Sequence, residues 1–195
     1  RTMTKNFLLR LTEEHYGAGA FPVYGRLLEE QQLVRGGPLL PMWHCTAALR
    51  RAFGEGSVLV LGCTNDSLLA HLLGATPVNP LPPHYHCPNC HRLIFNAHAD
   101  DGWDLPDLAC PECGAPMVAD GHNLRSRSLI GESVVSLQVP QEQFAPVCAW
   151  LRDYWAQRDC QADTEPYSDE EVMGLHLTLP EGVQGVFEVR VLYPT

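Results

Sequence analysis

Residues 84–91 read His-Tyr-His-Cys-Pro-Asn-Cys-His, and residues 110–114 read Cys-Pro-Glu-Cys-Gly. Residues 91–109, nineteen in number, separate the two Cys-Pro-x-Cys turns. Each turn aims two sulfurs at one point. The proline presets the backbone, and His91 or Gly114 follows the second cysteine. Four thiolates meeting at a point make a closed tetrahedral site, and this spacing is a signature of structural zinc. Cys87, Cys90, Cys110 and Cys113 are therefore the expected ligands of one structural zinc ion. A rubredoxin-like iron is the other ion that such turns hold. His84, His86 and His91 flank the first turn; with four thiolates available, they read as supporting residues rather than ligands.

Around this module, 195 residues suffice for one domain with a small insertion and a good core. The composition is ordinary for a globular chain, with 45% hydrophobic residues. No run of eighteen apolar residues exists, so no membrane span is expected. Arg1 to Arg10 lack a signal-peptide core. Paired cysteines at metal spacing point to a reducing compartment, and a cytoplasmic location is expected. Cys45, Cys63, Cys148 and Cys160 lie in apolar or helical contexts and read as ordinary thiols. The net charge of −10 disfavours nucleic acid, whose affinity rests on Lys and Arg releasing counterions. The module itself is acidic, with Asp100, Asp101, Asp104, Asp107 and Glu112 against Arg92.

Punctuation divides the rest. Helices are expected over Asn6–His15, over Val23–Val34 with Leu27, Leu28, Leu33 and Val34 inward, and from Pro41 to Phe53 before Gly54. Val58–Leu61 reads as a short buried strand. Asn65-Asp66 read as the cap of a helix over Ser67–Leu73. Thr76–Pro83, with prolines at 77, 80, 82 and 83, is extended, and one hairpin is expected around Leu93–Phe95. Val134–Val139 alternates as a strand does. Pro140 opens a helix to about Gln157, with Phe144, Val147, Cys148, Leu151 and Trp155 inward and Pro146 near its first turns. Ser168-Asp169-Glu170-Glu171 reads as a capping box for a short helix. A hairpin closes the chain: Leu175–Leu179, a turn at Pro180-Glu181-Gly182, then Val186–Tyr193 with Phe187, Val189, Val191 and Tyr193 on one face. This order predicts an α+β fold, with helices packed on a mostly antiparallel or mixed sheet.

Val78-Asn79-Pro80-Leu81-Pro82-Pro83-His84-Tyr85 leads directly into the first cysteine turn. Gly102-Trp103-Asp104-Leu105-Pro106-Asp107 leads toward the second, and Asp120-Gly121-His122-Asn123 follows it. Together these closely resemble the zinc-bearing palm region of the PolC-type alpha subunit of bacterial DNA polymerase III. The resemblance is specific from about Thr76 to Gly131, compatible but weak from Tyr24 to Leu73, and fades downstream. It implies a palm-like, nucleotidyltransferase-type sheet with the four cysteines as structural zinc ligands. It also implies three parts: residues 1–75, a helical part with the first strand; 76–131, the Pro-rich lead-in and zinc insertion; and 132–195, a strand, helix and hairpin completing the sheet.

The departures from that family decide the expected function. Its phosphate-clamping loop, Gly- and Ser-rich with an Arg, corresponds here to Leu59–Asp66, with Leu61 at the Arg position and only Gly62 kept. Its paired metal-binding aspartates fall on Ser136 and Gln138. Neither side chain can neutralise a pair of magnesium ions. No stretch reads as fingers, thumb or exonuclease. The expectation is a palm-derived module without catalytic residues, acting on a protein partner or on itself, and linked by descent to replication. Two other readings remain at this point. One is a nucleotidyltransferase using Asp153, Asp159, Asp163 or Glu165. The other is a zinc ribbon that binds nucleic acid, with Trp103 and Tyr85 available for stacking.

Overall fold

A computed structural model describes residues 5–164 and 171–193. Helices α1 (Lys5–Tyr16), α2 (Phe21–Val34) and α3 (Leu39–Phe53) come first. Strand β1 (Leu59–Leu61), a tight 3-10 turn (Gly62–Asp66) and helix α4 (Leu68–Leu73) follow. The next stretch holds three short strands, β2 (His84–His86), β3 (Leu93–Phe95) and β4 (Val118–Asp120). Then come β5 (Val134–Pro140), α5 (Gln141–Ala156), β6 (Gln161–Thr164), β7 (Val172–Thr178) and β8 (Gln184–Leu192). The fold is α+β, with a four-cysteine excursion between α4 and β5.

The larger sheet has the order β1-β5-β8-β7-β6. β5 and β8 run parallel and the other pairs antiparallel, so the sheet is mixed. A parallel pair needs a crossover, and α5 begins it, packing back against β5 and β8. Val135, Leu137 and Val139 of β5 are buried together with Phe187, Val189 and Val191 of β8. This face receives α5 through Val147, Leu151 and Trp155. The opposite face carries Ser136, Gln138, Glu188 and Arg190, half-buried or exposed. The period-2 alternation expected for β5 and β8 therefore sets one face to the core and leaves the other partly open.

Several local expectations change. β1 is an edge strand rather than a fully buried one: Val58 and Val60 point inward, while Leu59 and Leu61 are 41% and 39% exposed. Helix α3 begins at Leu39, so Pro41 lies within its first turn, where its missing N–H has no intrahelical partner to lose. Ser67 caps α4, accepting from Ala70 N, while Asn65 donates to Val60 O across the 3-10 turn. On α2 the buried set is Val23, Leu27, Glu30 and Val34; Leu28 and Leu33 are half-buried at its margin. Tyr193 lies past the end of β8 and is 55% exposed, so it does not join the inward face. Of the capping box expected at residues 168–171, only Glu171 is among the described residues. It lies in a turn, and β7 starts at Val172, so no helix runs on from there. Strand β6 was not expected, because Gln-Ala-Asp-Thr carries no apolar alternation.

Candidate metal centre

The insert sheet has the order β3-β2-β4, with β2 paired antiparallel to both neighbours. The hairpin expected around Leu93–Phe95 is β2–β3, and the first cysteine turn lies at its end. The two cysteine turns share one hydrogen-bond plan. The Cys87 N–H donates to Arg92 O (2.8 Å) and the Cys110 N–H to Ala115 O (2.7 Å). The His91 N–H donates to Cys87 O (3.0 Å) and the Gly114 N–H to Cys110 O (2.9 Å). His91 and Gly114 both take left-handed backbone, at φ 65° and 77°.

This twofold-like plan brings the four sulfurs together. Cys87 Sγ lies 3.5 Å from Cys113 Sγ, and Cys90 Sγ lies 3.5 Å from Cys110 Sγ. All four lie within 4.8 Å of one another, a group that could hold a metal ion. A tetrahedral ion with bonds of about 2.3 Å places its sulfurs about 3.8 Å apart, so the cluster matches a thiolate-bound ion of zinc size. Cys87 and Cys110 are buried, and Cys90 and Cys113 face outward. The Asn89 side chain and the Ala115 N–H draw the Cys113 thiol down to about 6. Cys90 goes the other way. The Arg92 N–H favours its thiolate, but desolvation and hydrogen bonding with the neighbouring cysteines outweigh that and push it up to about 12. A bound cation would displace that proton.

The recognised motif pieces converge behind the sulfurs. The His122 N–H donates to Asn79 O (2.9 Å), Asn123 N–H to Leu81 O (3.0 Å) and Leu124 N–H to Pro80 O (2.9 Å). Gly102 N–H donates to Gly121 O (2.7 Å). A Cβ on Gly102 would stand 2.1 Å from Asp120 O, and one on Gly121 would stand 2.4 Å from Pro82 O. Those glycines let the loop between the cysteine turns lie directly on β4 and the Pro-rich strand. The Asp101 carboxylate lies 2.9 Å from His122 Nδ1, and the backbone N–H of Trp103 and the His122 ring hold Asp101 below the usual carboxylate range. Tyr85 is buried and donates to Pro106 O, so it offers no stacking face. Trp103 is 80% exposed and meets the His122 ring edge-on.

The other sequence candidates do not converge. Among the described residues, the four cysteines form the one group of three or more metal-ligating side chains whose donor atoms already lie within 4.8 Å of one another. Asp153, Asp159 and Asp163 join no such cluster, and Glu165 lies outside the described residues. Ser136 and Gln138 stand opposite Leu61 and Leu59 of β1, and opposite Glu188 and Arg190 of β8. Arg190 Nε pairs with Glu188 Oε1 at 2.6 Å. His84 is buried with Nδ1 at 2.8 Å from Pro82 O. His86 packs between the rings of Tyr16 and His91. Both are neighbours of the module rather than members of the sulfur cluster.

An α+β domain carrying an inserted four-cysteine module is the class that fold and site define. Compared with known proteins, this chain is similar to DNA polymerase III PolC-type. It is 50% identical over 86 residues to that protein of Thermotoga petrophila, which covers 43% of this chain and 6% of the relative. It is 47% identical over 86 residues to that of Bacillus subtilis, with the same shares covered. The likeness to the protein of Latilactobacillus sakei is 36% over 137 residues, 67% of this chain and 9% of the relative. The chain is thus a partial PolC-like homologue, and its matches span less than a tenth of the length of these three relatives. No protein-family model matches it.

Proposed function

We propose that this chain is a zinc-stapled, palm-like module that acts by binding in the setting of DNA replication and does not transfer nucleotides. One observation carries the second half of that reading: the neighbourhood of Ser136 and Gln138. Two-metal nucleotidyl transfer needs carboxylates converging on a pair of cations. Here the two β5 positions offer a hydroxyl and an amide, β1 offers Leu59 and Leu61, and the carboxylate opposite Ser136, Glu188, is paired with Arg190. A guanidinium at this spot opposes divalent cations, and the Leu59–Leu61 edge offers no cradle for phosphate.

The zinc assignment rests on the all-sulfur donor set and its tetrahedral spacing. Cys87, Cys90, Cys110 and Cys113 are its ligands, and the ion is structural because four thiolates leave it no open position. When bound, it ties both cysteine turns to β2 and makes residues 76–131 a stapled insert. The partner is a protein, either a replication protein or a second copy of the chain, and the location is cytoplasmic. The exposed Trp103 favours a nucleic-acid surface, but Asp100, Asp101 and Asp104 surround it in a chain of net charge −10.

Primer extension with magnesium or manganese on a primed template tests the reading. No incorporation above background is expected from the zinc-loaded chain. Template-dependent incorporation that vanishes in Glu188→Gln would overturn it.

A further inference from the structure

Apart from the four sulfurs, histidines and an aspartate line a cavity where α1, α4 and the insert sheet meet. A cavity of about 170 Å3 there is lined by His15 and Tyr16 of α1, His71 of α4, His84 and His86 of β2, and Asp120 of β4. Two of these rings have their tautomer set from behind. His71 Nδ1 lies 3.1 Å from Thr76 O, and His84 Nδ1 lies 2.8 Å from Pro82 O. A carbonyl oxygen only accepts, so each ring keeps its proton on Nδ1 and its lone pair on Nε2. Such a carbonyl bond is how metal-binding histidines are usually prepared. His86 Nε2 is buried and has no hydrogen-bond partner among the described residues.

Charge selects the kind of ligand. Burial holds His71 and His84 below the ordinary histidine range, so both rings are neutral at pH 7. The Asp120 carboxylate is felt at Tyr16, His71 and His84. Neutral imidazoles beside a carboxylate, in a chain of net charge −10, suit a cation rather than an anion. Imidazole nitrogens with one carboxylate oxygen are the donors of zinc, cobalt and nickel, whereas calcium and magnesium prefer oxygen throughout.

We propose that this cavity is a second metal site, taking one divalent transition-metal ion through Nε2 of His71, His84 and His86 and the carboxylate of Asp120. Its donors stand wider apart than the four sulfurs, which alone among the described residues already lie within 4.8 Å of one another. Binding there requires the ion to draw the donors together, with the His71 and His84 rings pivoting on their Nδ1–carbonyl bonds. The site therefore binds more weakly than the thiolate site and empties first under a chelator.

Cobalt(II) titration of the purified chain separates the two sites. The first equivalent should bring intense thiolate-to-cobalt charge-transfer bands. A second should add only weak visible absorption, with two equivalents retained after gel filtration. His71→Ala and Asp120→Asn should each weaken the second step by about tenfold or more. Both should leave the charge-transfer bands intact, which shows that the insert is still folded. One equivalent in the wild type, or a second step of unchanged affinity in both variants, overturns the proposal.

Discussion

At Glu30 a fully buried carboxylate accepts four hydrogen bonds: from Arg26 Nε (2.8 Å), Ser67 Oγ (2.6 Å), Leu68 N (2.8 Å) and Leu69 N (3.1 Å). It closes the open amino end of α4 from a neighbouring helix, and Arg26 reaches on to Asp66 O and Leu124 O. Glu30→Ala would leave the Arg26 charge without its carboxylate and three donors without their acceptor in the core. The expected loss is about 3–5 kcal/mol by chemical denaturation, with a smaller loss for Glu30→Gln. The residue was half legible. Val23, Leu27, Glu30 and Val34 follow the inward spacing of a helix, but a glutamate in that slot reads as solvated until its partners, far off in sequence, are placed. Gly102 is a second case. Gly102→Ala would drive a Cβ into the Asp120 backbone, so a fall in thermal midpoint is expected even with metal bound. A midpoint equal to wild type would show that the loop can shift.

Among the elements, β2, β3 and β4 have three residues each and little apolar cover of their own. Strands that short do not stand without a staple. Metal removal, or Cys110→Ser, should therefore abolish hydrogen-exchange protection over residues 84–120. Protection in β5, β7, β8 and α5 should persist. Uniform loss across the chain would contradict a separable insert. Acid should act in the same place. The apo Cys90 thiol is pushed up to about 12, so it is protonated at neutral pH and must release that proton to bind. Affinity should rise with pH, by up to about tenfold per unit for each proton released, in chelator competition between about pH 6.5 and 8. Those strands were hard to read in advance, since His-Tyr-His and Val-Ala-Asp carry no apolar period. Pairing within the insert makes them strands. β6 was hidden for a similar reason, as an edge strand with one inward residue in view, Ala162, and polar neighbours.

The molecule as a whole is acidic, and its one strongly exposed indole sits among aspartates. Retention of labelled single- or double-stranded DNA should be weaker than about 10 μM at roughly physiological salt. Tighter, salt-sensitive retention lost in Trp103→Ala would restore the nucleic-acid reading. Much of this picture was written in local pattern. Two Cys-Pro-x-Cys turns at this spacing already point to one four-sulfur site. The alternation of β5 and β8 fixes which side chains go inward, and Ser136 and Gln138, where the resemblance to PolC implies aspartates, carry no carboxylate. These features depend on neighbours a few residues away. Long-range pairing decided the rest. Packing from α2 turned Glu30 into a helix cap. The edge position of β1 left Leu59 and Leu61 exposed. Parallel pairing of β5 with β8 brought Glu188 and Arg190 beside Ser136 and Gln138. Contacts between α1, α4 and the insert gathered four histidines around one cavity. Residues tens of positions apart carry no mark of one another in spacing or composition; they become one site only when burial of the core brings their elements together.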